Sequence, residues 1–205
     1  AEVAARARLV VLSLPDGAAS ASVADEIIES NRRLTDTVID TSTIGVAAAK
    51  SVQERLARVD LSYIDAPVSG GIAGAAAATI ALMFAGEAAD FERLSPVLTA
   101  MSKNPFHVGT EAGQGQAMKL LNNYLSGLAL TATSEATAFG LTQGLDMRTM
   151  LDVLNTSSGQ NTATADKFPN RILPETYDAQ FLNTLYLKDL TLFVENVAGA
   201  GTADA

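Results

Sequence analysis

Apolar positions fall into two regimes along the chain. In the first half, short apolar runs alternate with segments of helical period. Residues 7–13 (ARLVVLS) have the pattern of a buried strand, and Pro15-Asp16-Gly17 follows as a turn signal. Residues 22–31 read as a helix, 37–40 as a second strand, 44–58 as a second helix and 62–66 as a third strand. Strands and helices alternating at this spacing predict parallel βαβ units. A further strand is expected over 79–85, a helix over 91–101, and a short last strand at Phe106-His107-Val108.

The second half has the 3.6-residue period. Ala117, Leu121, Tyr124, Leu128, Ala132, Ala136 and Phe139 recur at steps of three and four, with no proline from 116 to 143. At the α-helical rise this segment reaches roughly 40 Å, enough for a spine between two domains. Residues 147–155 and 185–198 read as further helices. The character of the chain changes between Gly109 and Gly115. This places an α/β domain over 1–112 and an all-α domain over 113–205.

Composition narrows the classes. One large domain or two small ones fit 205 residues, and such a chain buries a core without cross-links. The absence of cysteine removes disulfide, thiolate-metal and cysteine-nucleophile chemistry. A net charge of −9, with only 14 Lys and Arg, argues against nucleic acid as a partner. The longest low-charge stretch, 64–86, is broken by Asp65, Pro67 and glycines and does not read as a membrane span. Charges in the first eight residues do not read as a secretion signal. A cytoplasmic protein is expected. His107, the only histidine, reads as structural, and no His/Asp/Glu cluster has metal-ligand spacing.

Four segments carry candidate chemistry. Ser13-Leu14-Pro15-Asp16 and Asp40-Thr41-Ser42-Thr43 each follow a strand, at the sheet edge where open α/β folds bind ligands. Asp65-Ala66-Pro67-Val68-Ser69-Gly70-Gly71 ends a third strand and offers amides and a hydroxyl with little side-chain bulk. The fourth runs from Gly109 through Gly113, Gly115 and Lys119 to Asn122-Asn123. Lys119 and Asn123, four apart, share a helix face set against the apolar stripe and continued by Ser126 and Gly127. A lysine desolvated in a cleft has its charged form disfavoured and can exchange a proton near working pH. Taken singly, these segments also read as a turn, a helix cap, a flexible loop, and a surface lysine beside a packing asparagine.

In this order and spacing the segments resemble the β-hydroxyacid dehydrogenase family, which includes 3-hydroxyisobutyrate dehydrogenase and, more distantly, 6-phosphogluconate dehydrogenase. The resemblance runs from about residue 7 to 198. Residues 65–71 look like its substrate-binding signature, and Gly113-Gln-Gly115-Gln-Ala-Met-Lys119 with Asn122-Asn123 like its catalytic one. The resemblance implies hydride transfer between NAD or NADP and a small β-hydroxy acid, with Lys119 as general acid/base. It implies that Ser69, Gly70, Gly71, Asn123, Ser158 and Gly159 bind substrate in an interdomain cleft, and that Leu14, Pro15, Thr43, Lys188 and Asp189 contact or order the cofactor. A homodimer or homotetramer is implied as well.

The sequence departs from the family in two places. No Gly-rich pyrophosphate turn occurs before Ser13 and the family's acidic ribose-binding position is missing, so the usual sequence clue to NAD or NADP is expected to be lacking here. The resemblance thus implies an N-terminally incomplete Rossmann-type nucleotide-binding domain over 1–112, in a fragment or an incomplete record of a longer protein, expected to bind dinucleotide poorly by itself. Gln160-Asn161-Thr162 also stands where many relatives carry an aromatic, which leaves the substrate's acyl group open. An imine reductase shares the architecture but usually lacks lysine at this position. A non-catalytic member, serving as a binding or dimerisation module, is the alternative from another class.

Overall fold

The computed structural model describes residues 2–178 and 182–199. Its contacts group into two compact units, one formed by residues up to 121 together with 191–199, the other by 122–178 and 182–190.

The first unit is built on strands β1 (Leu9–Leu12), β2 (Thr37–Asp40), β3 (Ser62–Asp65), β4 (Val68–Ser69), β5 (Ala81–Ala85) and β6 (Asn104–Gly109). Its helices are α1 (Gly17–Ile28), α2 (Val46–Ala57), the six-residue α3 (Gly71–Ala76) and α4 (Ala88–Met101), preceded by a 3-10 turn at Val3–Ala5. The sheet runs β1-β2-β3-β5-β4, with β6 on the other side of β5. β1–β2 and β2–β3 are parallel, as the βαβ spacing predicts. β5 is antiparallel to β3 and to the two-residue β4, and parallel to β6.

All four residues of β2 are buried, because apolar layers cover both faces of the sheet. Strand alternation sends Val38 and Tyr63 to one layer, with Val10, Leu12, Ile27, Val52 and Leu56. It sends Ile39 and Ile64 to the other, with Leu82, Phe84, Leu94 and Leu98. His107 is structural: its ring stacks on Phe91 with centroids 5.3 Å apart, and its Nε2 lies 2.7 Å from the Gly86 carbonyl oxygen.

α1 begins five residues earlier than the expected position 22. Asp16, whose neighbours suggest a turn, is its N-cap: the carboxylate accepts the Ala19 amide at 2.9 Å. β4 and α3 occupy the segment after Pro67, where the small and glycine residues suggest a loop.

Helix α5 (Gln114–Thr142) belongs partly to each unit. Its apolar stripe is the outward side: Leu121, Leu128 and Phe139 are 45%, 48% and 67% exposed. Apart from Leu120, the buried positions are polar or small: Gly115, Gln116, Lys119, Asn123, Gly127, Thr133, Thr137 and Gly140. The second unit continues with α6 (Met147–Asn155), a π-helical segment (Ala163–Ile172) and the first half of α7 (Asn183–Gly199). Leu151, Ala163 and Phe168 form its core, flanked by Ala129, Leu130, Met147 and Ile172.

Candidate active site

The carboxyl ends of β1, β2 and β3 lie side by side, in register Leu12–Asp40–Asp65. Each is followed by one of the polar segments marked in the sequence. Hydrogen bonds stitch these segments together. The Leu14 amide donates to Ser42 Oγ at 2.7 Å, and Thr41 Oγ1 donates to the Leu12 carbonyl at 2.7 Å. Asp40 Oδ1 accepts the Ser42 amide at 2.9 Å, an Asx-type turn that shapes the loop carrying Thr43. Pro15 is exposed and Thr43 half-buried.

Asp65 and Gln116, neither marked as a site residue by the sequence, form the centre of this unit's polar network. Asp65 Oδ2 accepts the amides of Gly113 and Gln116 at 2.8 and 3.1 Å. It thereby caps the first turn of α5 from across the fold, placing a carboxylate at the positive end of the helix dipole. Asp65 Oδ1 accepts Gln116 Nε2 at 2.7 Å, and the same amide group donates to the Ser42 carbonyl at 3.0 Å. Gln116 Oε1 in turn accepts the amides of Ile44 and Gly45 at 2.8 and 3.1 Å, in the loop just ahead of α2. Asp40, Asp65 and Gln116 have no exposed surface.

Two glycines permit this approach. Gly113 has φ +96°, the left-handed region. A Cβ on Gly115 would lie 2.8 Å from the Met83 carbonyl oxygen and 2.9 Å from that of Asp65. Burial raises the Asp65 carboxyl above its ordinary value and Asp40 pushes the same way, against the N–H donors of Gln116 and Gly113. Burial, then the two carboxylates, push the Tyr63 phenol far above its usual range; its hydroxyl donates to Asp40 at 3.4 Å.

Lys119 follows Gln116 by one turn of α5 and is 8% exposed, so it is not a solvated surface lysine. Ser69 is the half-buried end of β4, and Gly70 and Gly71 are exposed where α3 begins, with φ of +137° and +64°.

In the second unit, Asn123 is 6% exposed and its Nδ2 donates to Asp189 Oδ2 at 2.7 Å. Tyr186 hydroxyl donates to the Asn123 carbonyl at 3.0 Å, at a point where any Cβ on Gly127 would strike the Tyr186 hydroxyl. Asp189 is buried, and its Oδ1 has no hydrogen-bond partner among the described residues; Lys188 Nζ stands 3.4 Å from it. The structure thus brings Asn123, Lys188 and Asp189 together. Ser158 and Gly159 lie in an exposed turn after α6, held by Asn161, whose Nδ2 donates to the Gly159 carbonyl at 3.1 Å and whose Oδ1 accepts the Ala163 amide at 2.8 Å.

A sheet of this topology with polar loops at the carboxyl edge of its parallel strands, followed by helices, defines a Rossmann-type nucleotide-binding protein with an all-α second part. Two family models account for nearly the whole chain: the NAD binding domain of 6-phosphogluconate dehydrogenase over residues 1–109, and the NAD-binding domain of NADP-dependent 3-hydroxyisobutyrate dehydrogenase over 113–203. The chain belongs to the β-hydroxyacid dehydrogenase family. It is 39% identical to 3-hydroxyisobutyrate dehydrogenase of Pseudomonas aeruginosa over 78% of this chain and 55% of that protein. It is 32% identical to 2-(hydroxymethyl)glutarate dehydrogenase of Eubacterium barkeri over 95% of this chain and 65% of that protein. Among solved structures, Mycobacterium tuberculosis 3-hydroxyisobutyrate dehydrogenase with L-serine superimposes with a TM-score of 0.89 at 33% identity, covering all of this chain and 71% of that one. An imine reductase of Myxococcus stipitatus shares the fold, with a TM-score of 0.66 at 17% identity. The chain therefore spans little more than half to two thirds of the length of these curated relatives.

Proposed function

We propose that the protein containing this chain is an NAD- or NADP-dependent dehydrogenase of a small β-hydroxy acid, with Lys119 as its general acid/base. The observation that carries the reading is the burial of Lys119 on α5, one turn beyond a helix start capped by Asp65 and tied through Gln116 to the loop before α2. A side chain held in place at the reacting atoms can act as general acid and base. The nicotinamide, when bound, supplies the hydride acceptor. In the oxidative direction Lys119 takes the hydroxyl proton as the carbinol carbon gives up its hydride, leaving the semialdehyde or ketone; in reverse the Lys119 ammonium returns that proton to the carbonyl oxygen.

The remaining residues serve binding in this reading. We assign substrate binding to Asn123, whose amide is fixed by Asp189, to Ser69, Gly70 and Gly71, and to Ser158 and Gly159. Leu14, Pro15 and Thr43, on loops after parallel strands, line the nicotinamide end of the cofactor. The residues present fit such a group: Lys188, partly exposed and 3.4 Å from the Asp189 carboxylate, offers a cation to an anionic ligand. The exposed apolar stripe of α5 supports self-association as a homodimer or homotetramer, and we place the protein in the cytoplasm. Among the described residues no helix is long and apolar enough to cross a membrane.

The test is a panel assay of the full-length protein. Reduced-nicotinamide absorbance is followed with 3-hydroxyisobutyrate, L-serine and 2-(hydroxymethyl)glutarate, each with NAD and with NADP. Turnover of at least one hydroxy acid is expected. Cofactor binding without turnover of any, beside reduction of cyclic imines, would assign the protein elsewhere.

A further inference from the structure

The hydrogen-bond relay from Asp65 through Gln116 to the amides of Ile44 and Gly45 has a fixed polarity. At one end Asp65 only accepts; at the other, Ile44 and Gly45 only donate. The Gln116 amide is the one uncharged group of its length that satisfies both, with its NH2 toward Asp65 and the Ser42 carbonyl and its oxygen toward the two amides. All members are buried, so no water substitutes for a lost partner, and each missing bond leaves a desolvated polar group. The relay joins two things that the proposed chemistry needs in register. Asp65 pins the first turn of α5, which sets where Lys119 stands one turn on. Gln116 ties that same turn to the loop carrying Thr43.

We propose that Asp65 and Gln116 are positioning residues for the reaction at Lys119, holding the α5 start against the Ser42–Gly45 loop. The proposal rests on the role assigned to Lys119 above. Neither residue touches the reacting atoms; they act through the helix and the loop.

The polarity makes the test specific. In Asp65→Asn, the new side-chain oxygen can still face the amides of Gly113 and Gln116, but its NH2 then meets the NH2 of Gln116. Rotating Gln116 relieves that clash and creates another, against the amides of Ile44 and Gly45. Every arrangement leaves two donors facing each other. Adding Gln116→Glu to Asp65→Asn restores an acceptor toward the introduced amide and keeps one toward the Ile44 and Gly45 amides, while the Ser42 carbonyl loses its donor and faces an oxygen. In the full-length protein, Asp65→Asn is expected to lower kcat by about ten- to a hundred-fold, as small misplacements of a reacting group do. KM should move by less than about three-fold, the signature of lost transition-state rather than uniform binding. The limb of the pH–rate profile that Lys119→Ala abolishes should shift, and the double variant should recover at least about ten-fold of the loss. Should Asp65→Asn fail to fold, Gln116→Met, which keeps Asp65 and the helix, takes its place with the same expected loss of kcat.

If Lys119→Ala collapses turnover while the positioning variants keep kcat and the pH limb, the positioning role is wrong and the Lys119 role stands. A double variant no better than Asp65→Asn also overturns the positioning role. If Lys119→Ala itself keeps turnover, the reading of Lys119 fails, and the positioning role fails with it.

Discussion

Gly115→Ala probes the closest approach in the first unit. The added Cβ would sit 2.8 and 2.9 Å from two sheet carbonyl oxygens and 3.0 Å from Asp65 Cγ, all of them backbone or rigidly held atoms. To regain ordinary contact, the start of α5 must retreat from the sheet by about half an ångström, a typical overpacking strain of about 1–3 kcal/mol. Alanine's better helix propensity returns at most about 1 kcal/mol. The net loss of roughly 1–2 kcal/mol corresponds to a fall in Tm of about 2–8 °C for a chain of this size. The same retreat stretches the Gly113 and Gln116 bonds to Asp65, so kcat of the full-length enzyme should fall as well. The assay is thermal unfolding of the variant beside Gly199→Ala, where a Cβ meets nothing within 4 Å and no loss is expected. A Gly115→Ala protein with wild-type Tm and kcat would refute the close packing of α5 on the carboxyl edge of the sheet.

Phe84, without exposed surface and in edge contact with Phe91 and His107, should cost about 3–5 kcal/mol on truncation to alanine, read as the midpoint of denaturant unfolding. Asp16→Ala removes the α1 cap and should destabilise by about 1 kcal/mol, whereas Asp16→Asn should retain most of the stability in the same titration. Lys167 donates to Ser126 Oγ at 2.9 Å, and burial lowers its ammonium below the ordinary value, partly offset by Asp166. Its folded-state value lies below the unfolded one, so the fold disfavours its charged form at neutral pH. That cost is relieved as pH rises from the folded value toward the unfolded one. Wild-type stability should therefore gain on Lys167→Met as pH is raised into the alkaline range, and parallel pH–stability curves would contradict this.

Much of the fold was legible because local pattern and tertiary burial agree there. β2 falls on residues 37–40 and α6 on 147–155, as read from the sequence; α6 starts at its Asp146 cap. α5 shows where legibility stops. Its period marks a helix, but its outward side is the apolar stripe, and its buried side carries Lys119 and Asn123. Periodicity reports that a face exists; it does not report which face packs when the buried one is stabilised by hydrogen bonds and close backbone contact. The candidate site was legible in its motifs and not in its framework. Gln116 bonds to residues 51 to 74 positions away, and no local pattern records such partners. One signal was present: two successive strands end in an apolar pair followed by aspartate, Val38-Ile39-Asp40 and Tyr63-Ile64-Asp65. An acid at the end of a strand buried on both faces needs donors brought from elsewhere in the fold. The start of α1 was missed because Pro-Asp-Gly serves a turn and a helix cap equally well.

The role of Lys119 is tested most directly by comparing wild-type full-length protein with Lys119→Ala on whichever hydroxy acid the panel identifies. Cofactor affinity is measured in parallel by fluorescence titration. Loss of the proton-transfer group should lower kcat by about 10²–10⁴-fold while cofactor Kd changes by less than about three-fold. A Lys119→Ala enzyme that keeps kcat within about three-fold of wild type, with cofactor affinity intact, would contradict the account.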